Sequence, residues 1–433
     1  MGKSAGLTYR TIFLEEHGKL CNEDIQCILD KGICFRETGI MEKPVYLGIG
    51  PDMKASYFIG ADWLDEKEGL SVVVHPKKEM ENVDYFKMFM TCLENELSSD
   101  YFSLIYGIEC EKKYINCARL QDQITPLLLI HYLTVLKRLT KRGLRKDYVL
   151  QEENLQCKAK GRVLTGENLR MNVIGRRLDR CYCSFHEYTV DSQENRLLKK
   201  ALLFTARFIR KFGSHDSFAR LSALTNSLLA QFENVGDEIE IYQIRRVAAN
   251  GLFKDYNEAV ILAKKILRRF GYSIEKVNRT EGGTPVFWID MSRLYEVYVY
   301  SLLNRAYGKQ ILFQVKGYHQ CSADFIKLDE NLIIDTKYKP RYENGNKGII
   351  DDIRQVSAYA RDEKIISHLS DAQPYMGEYP CLIIYPEKQA SDDLEVTRFN
   401  HEESLLQKAR KINGFRNFYK LGGKVTCQNI RSG

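Results

Sequence analysis

Between residues 322 and 339 the chain reads SADF, then eight residues, then IIDTKYK. Asp324 lies early in one expected strand. Asp335 and Lys337 lie near the end of the next, beyond a turn at Asp329-Glu330-Asn331. Alternate residues of a strand share a face, so Asp335 and Lys337 point the same way, and hairpin pairing brings Asp324 beside them. Carboxylates gathered in this way repel and raise each other's pKa unless a cation joins them. Mg²⁺ suits the set, because it takes oxygen ligands and keeps waters for substrate exchange. The Thr336 carbonyl offers a further oxygen. On a scissile phosphate, such an ion neutralises developing charge and lowers the pKa of an attacking water. Lys337 is placed to orient that water and to stabilise the transition state electrostatically. Glu296, in DMSRLYE, is a candidate third carboxylate, from the helix upstream. Gln355 and Tyr359 stand four apart on the helix downstream and share its face, Gln355 to hold the water or Lys337 and Tyr359 to support it.

The alternative is structural. D-x-K alone means little, and a surface cross-strand pair of this kind adds only about 0.2–1 kcal/mol. The run Leu332-Ile333-Ile334, however, is that of a buried strand, which a surface pair does not explain. With Asp324, Glu296 and the Q-x-x-x-Y helix added, the pattern favours catalysis.

The order helix-Glu, strand-Asp, strand-Asp-x-Lys, helix-QxxxY resembles the PD-(D/E)XK nuclease superfamily, with Ala323 where that name has proline. Within it the chain is most similar to McrC-type subunits of modified-cytosine-dependent restriction systems. FWIDMSRLYEVYV resembles their entry into the catalytic domain, and IIDTKYK with IRQVSAYA their catalytic core. RGLRKDYV, KGRV, FHEYTVDSQENRLLKKAL and, more faintly, VVVHPKKEM match further blocks, so the resemblance covers residues 70–390. It implies a Mg²⁺-dependent type IV restriction endonuclease subunit with Asp324, Asp335, Thr336 and Glu296 at the metal. Its substrate would be double-stranded DNA carrying 5-methylcytosine. Its partner would be an McrB-like AAA+ GTPase hexamer that binds the GTP and whose hydrolysis the subunit stimulates. Two other readings stay open. One is a RecB-type nuclease working without a GTPase; its iron–sulfur branch is disfavoured by the scattered Cys321, Cys381 and Cys427. The other is a non-catalytic DNA-binding regulator. Gly2-Lys3-Ser4 echoes the end of a phosphate-binding loop, but the strand and glycine that would build the cradle are not expected ahead of it.

The elements that must position this chemistry follow from patterning. A length of 433 residues suggests about three domains. The expected architecture is an α+β multidomain chain. It has a β-rich region at 1–124 for partner contact, a helical, basic region at 125–283, and an α/β nuclease domain at 284–433. Leu7–Phe13, Pro44–Gly50 and Leu70–Pro76 read as strands, and Tyr85–Leu97 as a helix. Thr125 and Pro126 read as the N-cap and first residue of a helix ending at Gly143. Helices are expected at Glu194–Phe212, Ser217–Gln231 and Glu258–Phe270, and at Met291–Tyr307 between an Asp290 cap and Gly308. Strands KQILFQVKG, ADFIKL, LIIDTKY and CLIIYP, a loop at Glu343–Gly348 and a helix at Asp351–Glu363 complete the nuclease domain.

Charge is unevenly spread. Residues 1–136 hold 14 Lys+Arg against 21 Asp+Glu, whereas residues 137–212 hold 19 against 8. The basic segment is what a nucleic-acid contact requires. On its Glu194–Phe212 helix, Arg196, Lys199, Lys200, Arg207, Arg210 and Lys211 fall on one side, a stripe that suits a phosphate backbone or the partner. Cys181, Cys183 and His186 form a tight group, but no further ligands stand at zinc spacing, so alternating thiols on a strand are expected. No apolar run reaches the roughly 18 residues of a membrane span. The N-terminus lacks a signal-peptide pattern, so a cytoplasmic protein with reduced cysteines and no membrane contact is expected.

Overall fold

The computed structural model describes residues 9–37, 39, 43–77, 85–92, 101, 104–109, 112–115, 121–212, 216–240, 254–270, 284–319, 321–339, 349–369, 379–387, 399 and 403–423. The fold is mixed α and β with several sheets. The chain divides into two compact units, Met1–Ile124 with Glu281–Gly433, and Thr125–Thr280.

Among the described residues the first unit contains two sheets. One has strand order β1 (Arg10–Glu15), β3 (Leu70–His75), β2 (Phe58–Asp65), β8 (Val286–Asp290) and β4 (Tyr106–Glu109). β8 lies beyond residue 284 in sequence, yet it pairs antiparallel with both β2 and β4, so the regions read as 1–124 and 284–433 share this sheet. Gly60 makes the pairing possible: its φ is +147°, and a Cβ there would lie 2.1 Å from the Phe287 carbonyl oxygen. The segment Pro44–Gly50, expected as a strand, instead makes a short 3₁₀ turn at Tyr46–Gly48. Tyr46, Leu47 and Gly48 take φ of 50°, 55° and 64°, left-handed values that no strand accommodates.

The second sheet of this unit runs β13 (Arg410–Lys411), β14 (Phe418–Gly423), β12 (Cys381–Pro386), β11 (Leu332–Thr336), β10 (Ser322–Lys327) and β9 (Ile311–Lys316). β9, β10 and β11 form an antiparallel meander, while β11, β12 and β14 are parallel. Every residue of β11 is buried, as in a strand covered on both faces. One cover is the Met291–Tyr307 helix, whose Tyr300 stacks on Phe313 and Phe325. The other is the Ile349–Tyr359 helix, whose Ile353 and Val356 pack with Ile326 and Ile333. The first helix keeps its expected bounds because the Asp290 side chain accepts from the Arg293 N–H and Gly308 ends it.

The second unit holds the helices Gln193–Phe212, Asp216–Gln231 and Lys254–Phe270, and most of Gln121–Lys141, which begins four residues before Thr125. It also holds a sheet that the helical reading missed. β5 (Asp147–Gln156) and β7 (Arg180–Thr189) pair over ten residues, with β6 (Arg162–Val163) on the other side of β7. Cys181 and Cys183 share one face of β7 and pack in a small apolar cluster. His186, an odd number of residues away, lies on the other face and is exposed, so the three do not converge on a metal.

Candidate active site

The β10–β11 hairpin pairs Phe325 with Ile334, Ile326 with Ile333 and Lys327 with Leu332. The same register carried one step further sets Asp324 opposite Asp335, the placement that a shared ion requires. Asp324 Oδ2 accepts hydrogen bonds from the Thr336 N–H at 2.7 Å and the Thr336 hydroxyl at 2.6 Å. Asp335 is 1% exposed. Lys337 Nζ lies 2.8 Å from Asp335 Oδ2 and donates to Gln355 Oε1 at 2.9 Å. Gln355 Nε2 in turn donates to the Tyr359 hydroxyl at 2.5 Å. Asp324, Asp335, Lys337, Gln355 and Tyr359 are thus brought together as read, and Thr336 joins them through its hydroxyl and its N–H. The set opens to solvent through Gln355, Lys337 and Asp324, which keep accessible surface.

Glu296 comes from the Met291–Tyr307 helix and is held by Gln314 Nε2, and by the Tyr101 hydroxyl at 3.4 Å. Gln314 faces Asp324 across β9 and β10, at the one position between Ser322 and Lys327 where the pairing lapses. Its φ of 53° explains the break and marks a strained residue of the kind that collects at functional sites. Neither Gln314 nor Tyr101 is legible as a site residue in the sequence. Two others were missed. Lys339 Nζ donates to Asp352 Oδ1 at 2.9 Å, and the buried Asp352 bears on the charge of Asp335. The K-x-K spacing of Lys337 and Lys339, and Asp352 one turn before Gln355, were the available signals.

The electrostatics show a cluster short of positive charge. Burial and the neighbouring Asp324 push the Asp335 carboxyl up to about 7, against the pull of Lys337. Burial raises Asp324, although the Thr336 hydrogen bonds oppose it. Burial and the Asp324 charge hold Glu296 well above the usual carboxylate range. Burial disfavours the Lys337 ammonium, but Asp335 and Asp324 outweigh it and keep the pKa above its ordinary value. The Asp335–Lys337 contact has the distance of an ion pair but not hydrogen-bond angles, so Asp335 Oδ2 is buried with no hydrogen bond. A buried carboxylate oxygen whose partner is a poorly aligned ammonium, beside a second carboxylate, leaves room for a small hard cation. Among the described residues no three His, Cys, Asp or Glu side chains converge as a complete metal cage. The oxygens that could hold an ion here are those of Asp324 and Asp335 with the Thr336 carbonyl, and Mg²⁺ ordinarily completes such a set with water and substrate oxygens.

The cationic helix divides in two. Arg196 makes a double hydrogen bond to Asp191, at 2.8 and 2.6 Å, which raises its own pKa and lowers that of Asp191. Lys199 donates to the Val235 carbonyl, and Lys200 to the Ile239 carbonyl at 2.6 Å. The two lysines fasten the chain around Val235–Ile239 to the helix directly, and Arg196 does so through Asp191, which also accepts from the Gly236 N–H at 2.8 Å. Arg207, Arg210 and Lys211 are exposed.

The model of one family, the McrBC 5-methylcytosine restriction system component, matches residues 58–367. The chain belongs to this family. No curated protein matches it. Among solved structures it is similar to a refined half-complex of Thermococcus gammatolerans McrB AAA+ hexamers with bound McrC. The identity is 16% and the TM-score 0.39, over 96% of this chain and 94% of that one. It is also similar to the cryo-EM structure of the Thermococcus gammatolerans McrBC complex, at 16% identity and a TM-score of 0.31, over 69% of this chain and 88% of that one. Among the described residues no helix is long and apolar enough to cross a membrane.

Proposed function

We propose that this chain is the McrC-like endonuclease subunit of a modification-dependent restriction complex, hydrolysing DNA phosphodiesters with Mg²⁺. The observation that carries the reading is that Asp324 and Asp335 adjoin the last pair of the β10–β11 ladder closely enough for Asp324 to raise the Asp335 pKa, with Lys337 bridging from Asp335 to Gln355. Asp324, Asp335 and the Thr336 carbonyl would hold the ion, which supplies charge neutralisation at the scissile phosphate and a more acidic water. Thr336 fixes Asp324 through two hydrogen bonds, so that carboxylate is already set before substrate arrives. Gln355 holds the Lys337 ammonium at the open side of the site, where it can orient a water and stabilise negative charge building on the phosphate. Tyr359 fixes Gln355 in turn. Glu296, whose carboxyl pKa is raised by burial and by Asp324, accepts from Gln314 and Tyr101 and supports this set from the helix side.

The GTPase partner is part of the same proposal, with GTP bound by the partner alone. Support comes from the segment between β6 and β7, where Leu169, Ile174 and Leu178 are 54%, 72% and 80% exposed. Buried Asn172, hydrogen-bonded to Asn154 and Asn168, holds this segment in shape. Exposed apolar side chains on an ordered turn are what a protein contact uses. The contact is therefore expected on the basic region rather than on the acidic residues 1–124.

The test is cleavage of methylated DNA by the chain with its GTPase, GTP and Mg²⁺. Asp335→Ala and Lys337→Ala should each remove cleavage while leaving GTP hydrolysis stimulated. Undiminished cleavage by either variant refutes the site. Ile174→Asp with Leu178→Asp should abolish binding and stimulation of the GTPase without lowering the unfolding temperature. Retained binding would move the contact elsewhere.

A further inference from the structure

Lys77 sits just past β3, in the HPKK run of the N-terminal sheet, yet it reaches the end of the catalytic strand. Its Nζ donates to the Tyr338 carbonyl at 3.2 Å and lies 4.7 Å from the centre of the Tyr338 ring and 5.7 Å from that of Tyr57. Its own backbone N–H donates to Glu16 Oε2 at 3.1 Å, and Glu16 is buried. Tyr338 is buried against Tyr295 of the Met291–Tyr307 helix and stands between Lys337 and Lys339, the two lysines that engage Gln355 and Asp352. Past Thr336 the chain has left β11, although the Lys337 N–H still donates to the Ile384 carbonyl. After Lys337, then, the sheet no longer dictates where the backbone goes.

We infer that Lys77 is a positioning residue for the hydrolytic site: by gripping the carbonyl and ring of Tyr338 it fixes the backbone that aims Lys337 and Lys339. The inference rests on the proposed nuclease function and extends it to a residue some 260 positions away in sequence. A partly desolvated ammonium over an aromatic face gains more than an exposed one, and here one ammonium holds both the ring and the carbonyl. Glu16 anchors the backbone from which Lys77 reaches out, so the grip has a fixed origin. The competing account is that Lys77 only binds the N-terminal sheet to the C-terminal one. That account predicts a general loss of stability and no specific loss at residues 337–339.

The experiment compares Lys77→Met and Lys77→Arg with the unaltered chain and with Lys337→Ala, each in the full complex with GTPase, GTP and Mg²⁺. Misplacing a catalytic group by about 1 Å costs on the order of 10²-fold. Lys77→Met should therefore lower kcat at least about tenfold, with KM for methylated DNA within about twofold, and Lys77→Arg should recover most of the rate. Amide hydrogen exchange should accelerate at Lys337–Lys339 in Lys77→Met and stay unchanged in β2 and β10. Loss shared between kcat and KM, or exchange accelerated across the whole N-terminal sheet, would overturn the inference in favour of the structural role. A rate equal to that of the unaltered chain would also overturn it. If the unaltered chain does not cleave, or Lys337→Ala cleaves as well as it does, the nuclease reading itself fails; unchanged exchange at 337–339 in Lys77→Met would separately refute the positioning role.

Discussion

Replacing Asp335 with Asn should make the metal-free protein more stable as it makes it inactive. Burial and Asp324 lift the Asp335 carboxyl from 3.8 to about 7. A tenfold change in a protonation equilibrium is worth about 1.4 kcal/mol, so holding this group ionised in the folded state costs on the order of 4 kcal/mol above neutral pH. The folded-state pKa is raised, so between about pH 4 and pH 7 the folded protein binds more protons than the unfolded chain. Stability from this group therefore falls as pH rises through that window and is flat above it. Asn is neutral throughout, and the variant loses the attraction of Lys337 for the carboxylate. A net gain of about 2–4 kcal/mol at pH 8 is expected, shrinking to about 0.5 kcal/mol near pH 4, where Asp335 is protonated in the folded state and about half protonated in the unfolded chain. Urea unfolding in EDTA at pH 4, 6 and 8 measures it. Mg²⁺ should narrow the gap at pH 8 by stabilising the unaltered protein alone. An Asn variant no more stable than the parent at pH 8, or a gap independent of pH, would refute the electrostatic account of the site.

Three further outcomes bear on the rest of the chain. Arg196→Ala breaks the double hydrogen bond to Asp191 and should lower the unfolding temperature. Arg207→Ala with Arg210→Ala should leave it unchanged and reduce the slope of log K against log salt for DNA binding by about 0.9 for each phosphate no longer neutralised; an unchanged slope would assign the exposed end of this helix to some role other than DNA contact. A fragment of residues 284–433 exposes both edges of β8, which in the full chain pairs with β2 and β4, so it should be poorly soluble and show no cooperative unfolding. A soluble, cooperatively unfolding fragment would refute the dependence of the C-terminal part on the N-terminal sheet.

Local chemistry was legible wherever neighbouring residues decide it. The period of two placed Asp335 and Lys337 together, the hairpin turn carried Asp324 across to them, and Asp290 with Gly308 marked both ends of a helix. The absence of further ligands at zinc spacing argued against a metal at Cys181, Cys183 and His186, and the strand then places His186 on the other face. What failed needed information that the local sequence does not hold. Tyr46 and Leu47 look like strand residues, but their left-handed backbone is imposed by the surrounding fold. FWID reads as the entry to the catalytic domain, and nothing in it reveals pairing with strands more than 170 residues earlier. The six cations of the Gln193–Phe212 helix look equivalent on a wheel, yet three are bound to Asp191 and to carbonyls of a segment the wheel cannot see. Gln314 escaped notice because its role depends on a break in strand pairing, not on residue type.

The cost of the charge cluster explains why it sits where it does. Two carboxylates at hairpin distance would drift apart if their strands could shift, relieving the repulsion and losing the ion. β10 and β11 cannot shift easily: β9 and β12 flank them, and helices cover both faces. A one-residue slip would carry Ile333 and Ile326 out of the packed core. Only the far end of the site lies beyond the sheet, at Lys337–Lys339, and this is where Gln355, Asp352 and Lys77 each take hold. The rigid centre holds the carboxylates in place against their repulsion, and the side-chain contacts at the strand end set where the ammonium points. Removing one of those strand-end side chains should thus slow the reaction without unfolding the sheet, whereas disturbing the strand register should do both.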